Sequence, residues 1–288
     1  VEAILEAGIE RVVVASEDPS EKAVGRGPGI LRDGGVEVAF ASGAEATAAR
    51  RLNQPFRKHS RTGLPLVVLK MAMSLDGQTT TAPGDSPWIS GTESRDLVHR
   101  WRAESDAIAV GIGTVLADDP LLTARIEGAR QPKRVVFDSQ ARLPLDSQLL
   151  QTLDQAPVLV VPAPNAPADS VSALRDAGAE IITAADIDSA LQELGRHEIT
   201  SLFLEGGQTL ASSFLSSGQI DESRTFIAPM LLGSQPNSDP RAGGDDREDS
   251  PGRGSPRSET GPARQEALWS STESIRDDTL ITATFKEW

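Results

Sequence analysis

Cysteine is absent from this 288-residue chain, so neither a disulfide nor a thiolate zinc site can be built from it. Histidine is nearly absent as well: His59, His99 and His197 are too widely spaced to suggest a ligand set, and no metal is expected. No apolar run reaches the length of a membrane span, and Val1-Glu2-Ala3-Ile4-Leu5-Glu6 starts an amphipathic helix without a basic leader. The chain reads as cytoplasmic and, beginning inside an apparent helix, as a piece of a longer protein. Basic residues are in deficit, 28 against 42 acidic, and the net charge of −14 repels nucleic acid and anionic membranes. Any anion site must therefore be assembled locally from arginines and backbone amides, and the expected partners are small molecules.

Apolar residues make up 38% of the chain, low for its length, and the deficit has an address. Residues 234–266 hold Ala242 and Ala263 but no Val, Ile, Leu, Met or Phe, so burial cannot offset their ordering entropy and disorder is expected.

Elsewhere, helices and strands alternate. The periodicity predicts a helix over 2–7, a strand over 10–15, a Gly/Pro turn over 25–29, a helix over 28–33, a strand over 35–39 and a polar helix over 44–58. That makes α/β units with no closing sheet, ending at a boundary near Arg61-Thr62-Gly63-Leu64-Pro65. Beyond it, strands are expected at 66–73, 107–110, 121–125, 133–138, 157–161, 179–183, 201–204, 220–232 and 279–285. Helices are expected at 91–104, capped near Ser90 or Thr92, and at 113–118, 168–177, 186–195 and after 207. Near-continuous apolar runs between helices predict an α/β fold: a mostly parallel sheet with helices on both faces.

Four segments carry chemistry. In residues 201–215 an apolar run ends in Glu205, two glycines follow, and a helix starts at once. Such a turn is either an ordinary β-turn-α connection or a phosphate cradle, because the first N–H groups of a helix lack internal partners. Lys70 lies inside the apolar run that leads to Ser74-Leu75-Asp76-Gly77. It either snorkels at a sheet edge or reaches a carboxylate or ligand phosphate. Ser86 and Trp88 precede a helix holding Arg95, Arg100 and Arg102; Trp88 can stack on a planar ring or simply pack the loop. Gly111-Ile112-Gly113-Thr114 ends a strand but lacks the third glycine of a dinucleotide fingerprint, while Asp118-Asp119 either meets sugar hydroxyls or stops a helix before Pro120.

Taken in order, these segments resemble the reductase half of the bifunctional riboflavin-biosynthesis deaminase-reductase family, whose reductase domain looks like dihydrofolate reductase. The resemblance runs through K-M-A-M-S-L-D-G, G-D-S-P-W-I-S, R-A-E-S-D-A-I-A-V-G-I-G-T-V-L-A-D-D-P-L-L-T-A-R, V-F-D-S and L-E-G-G-Q-T-L-A-S-S-F-L, over 64–233 and again over 268–286. Residues 4–15, with Glu17-Asp18-Pro19 and Gly25-Arg26-Gly27, look like the C-terminal part of that family's cytidine deaminase-like zinc domain. The resemblance thus implies a deaminase remnant over 1–62 without its metal motifs, and a reductase domain over 63–288. Deaminase activity is not expected of a chain with no cysteine.

The resemblance further implies NADPH-dependent reduction of 5-amino-6-(5-phosphoribosylamino)uracil to the ribitylamino compound, by a homodimer. Met73, Trp88, Thr114, Asp118, Ser139 and the turn Gly207, Gln208, Thr209, Leu210, Ala211, Ser212, Ser213 would contact NADPH. Ser86, Arg102, Leu122, Arg125 and Glu205 would face the phosphorylated pyrimidine, with the two arginines suited to its phosphate. Lys70 and Glu205 are the candidates for proton handling and sugar orientation; a mutual ion pair would make the buried lysine tolerable, and either residue can be the acid. A pterin-like substrate on the same fold, or a degenerate fragment that binds nucleotide without turnover, are the alternative functions. The polar segment 234–266 departs from the family pattern, either as a natural insertion or through a local reading-frame error.

Overall fold

A strand that is apolar along its whole length needs cover on both faces. The computed structural model describes residues 1–21, 23, 25–81, 88–233 and 265–288. Ser86 and segment 234–266, except its last two residues, lie outside the described residues.

The chain opens with helix α1 (Glu2–Glu6), strand β1 (Arg11–Val14), α2 (Arg26–Asp33), β2 (Glu37–Phe40), α3 (Gly43–Leu52) and α4 (Gln54–Thr62). β1 and β2 pair in parallel as a small sheet of their own, Arg11 opposite Glu37 through Val14 opposite Phe40. The single helix expected over 44–58 is two helices. Asn53 closes α3 and opens α4, and Pro55, with no N–H for a continuing helix, sits in α4's first turn.

The larger unit runs β3 (Leu66–Ser74), α5 (Thr92–Glu104), β4 (Ala107–Gly111), α6 (Ile112–Asp118), β5 (Lys133–Phe137), α7 (Gln148–Gln151), β6 (Val158–Val161) and α8 (Ala168–Asp176). It continues through β7 (Glu180–Ile181), α9 (Ile187–Arg196), β8 (Ser201–Leu204), α10 (Gln208–Ser216), β9 (Glu222–Ala228), β10 (Trp269–Ile275) and β11 (Asp278–Thr284). Among the described residues the sheet order is β10-β11-β9-β3-β8-β4-β5-β6-β7. Every pair from β9 to β7 is parallel; β11 is antiparallel to both β9 and β10. The mixed α/β fold with a mostly parallel sheet is thus the one expected.

Alternation along the strands divides the core. Ala107, Ala109, Leu202 and Leu204 face α9 and α10, where Leu191, Leu194 and Phe214 are buried. Ile108, Val110 and Val136 face the opposite side, against Val115 of α6, Leu149 of α7 and Leu174 of α8. On that second side, Val98 and Trp101 of α5 cover Leu66, Val68, Phe203 and Phe226, with Trp101 stacked on Phe226 at 5.5 Å between ring centroids.

Only a narrow stripe of α5 is buried, and its start is held from a distance. The expected cap at Ser90 or Thr92 is replaced by Asp278, a buried residue opening β11, which accepts from Gly91 N at 2.8 Å and Ser94 Oγ at 2.5 Å. Residues 121–125 do not form the expected strand, because Leu122 and Arg125 adopt left-handed backbone (φ 53° and 52°), incompatible with extension. The strand expected over 220–232 ends at Ala228, and β10 appears where no strand was expected.

α4 binds the opening unit to the larger sheet. Lys58 Nζ lies 2.6 Å from Asp221 Oδ2, both buried, while Arg57 donates to Ser16 Oγ at 2.8 Å and Glu17 O at 2.7 Å. The link after α4 passes so near α9 that a Cβ on Gly195 would stand 1.8 Å from Gly63 O.

Candidate functional site

The site begins at a fork in the sheet. β3 pairs with β8 only from Leu66 to Leu69, whereas its pairing with β9 continues from Val68 to Ser74. Beyond Leu204 the chain of β8 leaves the sheet through Glu205, Gly206 and Gly207 into α10. Alternation places Lys70 on the α5 side of β3, with Leu66, Val68 and Ala72, and Glu205 on the same side as Phe203.

Glu205 is taken by α5. Arg102 Nε and Nη2 hold its two oxygens at 2.6 and 2.9 Å, and Arg102 Nη1 donates to Thr123 O at 3.1 Å. The two side chains are only 13% and 10% exposed, so solvent screens this bidentate pair little. The expected Lys70–Glu205 pair is not formed. Lys70 Nζ has no hydrogen bond or ion pair among the described residues, and burial pushes its pKa below the ordinary lysine value; Glu205 opposes this and Arg102 adds to it.

A cavity of about 560 Å³ collects most of the expected substrate-side residues: Lys70, Arg102, Leu122, Arg125 and Glu205, together with Trp88, Thr114 and Asp118 from the cofactor set. Its wall includes loop 119–125, where Asp119, Leu122 and Arg125 all have positive φ. That backbone is held from outside: Asp119 Oδ1 accepts from Gln148 N at 2.9 Å, Ala124 N donates to Gln131 Oε1 at 2.8 Å, and Thr123 O takes Arg102. Strain of this kind clusters at ligand sites. Arg125 is exposed and forms no ion pair among the described residues.

Two wall residues escaped the sequence reading. Arg95 donates to Ser90 O at 2.7 Å and stands 5.2 Å from the Trp88 ring centre. His99 lies one turn before Arg102, and that three-residue spacing on a helix was the signal available. Burial holds the His99 imidazole below its ordinary pKa, Arg102 and Arg125 push the same way, and Glu205 and the Thr123 carbonyl push back.

A second cavity, about 820 Å³, lies at the carboxyl ends of β4, β5 and β6 and is lined by Ser139, Thr209, Leu210 and Ser213 of the expected cofactor set, with Gly111 and Gly113. Helix α10 separates it from the fork. Its N-cap Gly207 supplies no side-chain acceptor, so the first N–H groups of the helix are left for a ligand. The turn is also stripped of bulk: a Cβ on Gly206 would meet Leu210 at 3.1 Å, and one on Gly207 would lie 3.9 Å from Thr114 Oγ1. Such a cradle fits the pyrophosphate of a dinucleotide.

Met73, Gly207, Gln208, Ala211 and Ser212 line neither cavity. Met73 sits near the end of β3 opposite Ile227, Ala211 packs on the core beneath α10, and Gln208 Nε2 donates to Thr79 Oγ1 at 2.8 Å. Among the described residues no group of three or more acidic or histidine side chains is disposed to hold a metal, and no helix is long and apolar enough to cross a membrane.

Comparison with known proteins gives this geometry a context. A family model described as the RibD C-terminal domain matches residues 65–246. The riboflavin biosynthesis protein RibD of Actinobacillus pleuropneumoniae is 37% identical over 246 residues, 83% of this chain and 65% of that protein. RibD of Mycobacterium tuberculosis is 39% identical over 237 residues, 81% of this chain and 62% of that protein. The chain thus spans somewhat less than two thirds of the length of these relatives. The solved structure of Acinetobacter baumannii RibD superposes with a TM-score of 0.77 at 33% identity, covering 99% of this chain and 76% of that one. A Thermotoga maritima structure titled as a diaminohydroxyphosphoribosylaminopyrimidine deaminase/5-amino-6-(5-phosphoribosylamino)uracil reductase gives 0.75 at 26% identity, over 99% and 74% of the two chains.

Proposed function

This chain belongs to the RibD C-terminal domain family, and from that premise we propose that it reduces 5-amino-6-(5-phosphoribosylamino)uracil to the ribitylamino compound with NADPH. The observation that carries the proposal is the convergence of Lys70, the Arg102–Glu205 pair and Arg125 on one cavity at the β3–β8 fork.

The reaction makes three demands. The C1′–O4′ bond of the ribose must open, O4′ must receive a proton, and C1′, then doubly bonded to nitrogen, must accept a hydride. NADPH supplies that hydride when bound. The N–H groups of α10's first turn, the Gly206–Gly207 turn and Thr114 would hold its phosphates, Trp88 would flank a planar ring, and the cavity at Ser139 would take its far end.

Lys70 is assigned as the proton donor to O4′. Its ammonium has donors to spare and its lowered pKa eases release, whereas Glu205 is tied as a carboxylate by both oxygens to Arg102. Glu205 then serves as a fixed negative charge facing the sugar, favouring the positive charge that develops at the C1′–nitrogen bond. Arg102, expected to meet phosphate, becomes the residue that aims Glu205. Arg125 is left as the phosphate contact.

We propose further that residues 1–62 are the C-terminal part of a deaminase-like unit, a division supported by the separate β1–β2 sheet. The test is reduced-nicotinamide absorbance in the presence of the phosphoribosylamino-pyrimidine. Substrate-dependent loss of NADPH with formation of the ribitylamino product is expected; a folded chain that binds NADPH and turns over nothing would instead be a nucleotide-binding module.

A further inference from the structure

His99 is not accounted for by the fold. Its Nδ1 is buried and has no hydrogen-bond partner, so the polarity of the ring satisfies nothing in α5 or the core. Nor does packing call for an imidazole there, since Val98 and Trp101 already cover the sheet. The ring instead borders the cavity, beside the guanidinium groups of Arg102, from its own helix, and Arg125, from loop 119–125.

The charges around it are unbalanced. From α5 come Arg95 and Arg102, from the loop Arg125, and from β3 Lys70; against them stand Glu205, fully engaged by Arg102, and Asp118 and Asp119 at the α6 end. A neutral imidazole between two guanidinium groups is the tolerable state while the cavity holds no anion. A phosphate monoester entering beside Arg125 would reverse that balance, because its charge of about −2 favours a cation on every neighbour that can become one.

We infer that His99 is a substrate-binding residue that takes up one proton from solvent as the substrate's phosphate enters, and so becomes the second cation facing it, beside Arg125. The inference rests on the reductase reading for the identity of the substrate, but its test reads binding rather than turnover. It also supplies the phosphate contact that Arg102, committed to Glu205, was expected to provide.

The probe is ribose 5-phosphate, followed by NMR titration of the histidine ring protons in the full chain. Only three histidines are present, and His59 and His197 have partners elsewhere, at Gly195 O and Glu180, so they serve as internal controls. Saturating ribose 5-phosphate is expected to raise the His99 pKa by about one unit or more and leave the other two unmoved. In step with this, wild-type affinity should weaken, by up to about tenfold per pH unit, above about pH 7, where the phosphate is already a dianion. His99→Gln, which cannot be protonated, should flatten that slope while still binding through Arg125. An unmoved His99 resonance, an equal pH slope in His99→Gln, or no binding of ribose 5-phosphate at millimolar concentration would each overturn the inference. If His99 responds but NADPH is never oxidised, the reductase reading falls alone; if turnover is normal and His99 is silent, the inference falls alone.

Discussion

Glu205→Gln isolates what the carboxylate does. The amide keeps the size of the side chain and one oxygen for Arg102, but its NH2 group faces a guanidinium N–H, donor against donor. One of the two charge-assisted bonds, now 2.6 and 2.9 Å, is lost. Such a bond is worth about 1.5–3 kcal/mol. Removing one partner of a fully buried pair costs about 3–5 kcal/mol, and the opening of this pair to the cavity places it below that range. If the charge acts on the developing cation at C1′, about 2.7 kcal/mol of lost stabilisation lowers kcat about 100-fold. NADPH affinity, set at α10 and the second cavity, should change by less than about twofold because those contacts share no partner with Glu205. Steady-state kinetics with the phosphoribosylamino-pyrimidine, paired with NADPH titration by fluorescence, separates the two quantities. A double-mutant cycle with Arg102→Gln should give a coupling above about 1 kcal/mol. Equal losses in turnover and NADPH affinity would refute the role given to Glu205.

Three further outcomes follow from the geometry. Lys70→Met should abolish most turnover while leaving NADPH binding intact. In the wild type, kcat should fall on the alkaline side at a pH below the ordinary lysine pKa, since burial lowers the value and the protonated form is the active one; a pH–rate profile without that limb contradicts the assignment. Asp278→Ala removes the acceptor for Gly91 N and Ser94 Oγ and should destabilise by about 1–2 kcal/mol, the worth of a helix cap, read by urea denaturation. Asp278→Asn, which keeps one acceptor, should lose less. Gly195→Ala sets a methyl against Gly63 O and should cost more than about 1 kcal/mol, opposite in sign to the usual gain from replacing a helical glycine.

Local pattern carried much of this structure. The run into Glu205-Gly206-Gly207 and the helix after it was legible because strand, turn and helix are neighbours in sequence, and β8 and α10 occupy those positions. Near-continuous apolar runs such as 107–110 announced strands covered on both faces. The break between α3 and α4 was also present, in Pro55, but the polar periodicity across it masked the signal. β10 was hidden for a physical reason: an edge strand exposed along most of its length, Trp-Ser-Ser-Thr-Glu-Ser-Ile, needs no apolar alternation. Loop 119–125 was misread as a strand because Leu122 and Arg125 carry no residue-type cue for positive φ.

Pairings across the chain were the least legible part of the site. Arg102 meets Glu205 across 103 positions and Asp278 caps α5 across 187, and neither distance leaves a local trace. The preference of Glu205 for Arg102 over Lys70 has the same origin. Both cations lie on the α5 side of the sheet, and only the register of α5 decides which one reaches the carboxylate.

The central claim is that this cavity reduces C1′ of a phosphoribosylamino-pyrimidine. Reaction with NADPH deuterated at C4 of the nicotinamide, followed by NMR of the product, tests it most directly. The account predicts a ribitylamino product carrying deuterium at C1′ and none elsewhere. Deuterium in the pyrimidine ring, or a product formed without deuterium, would contradict it.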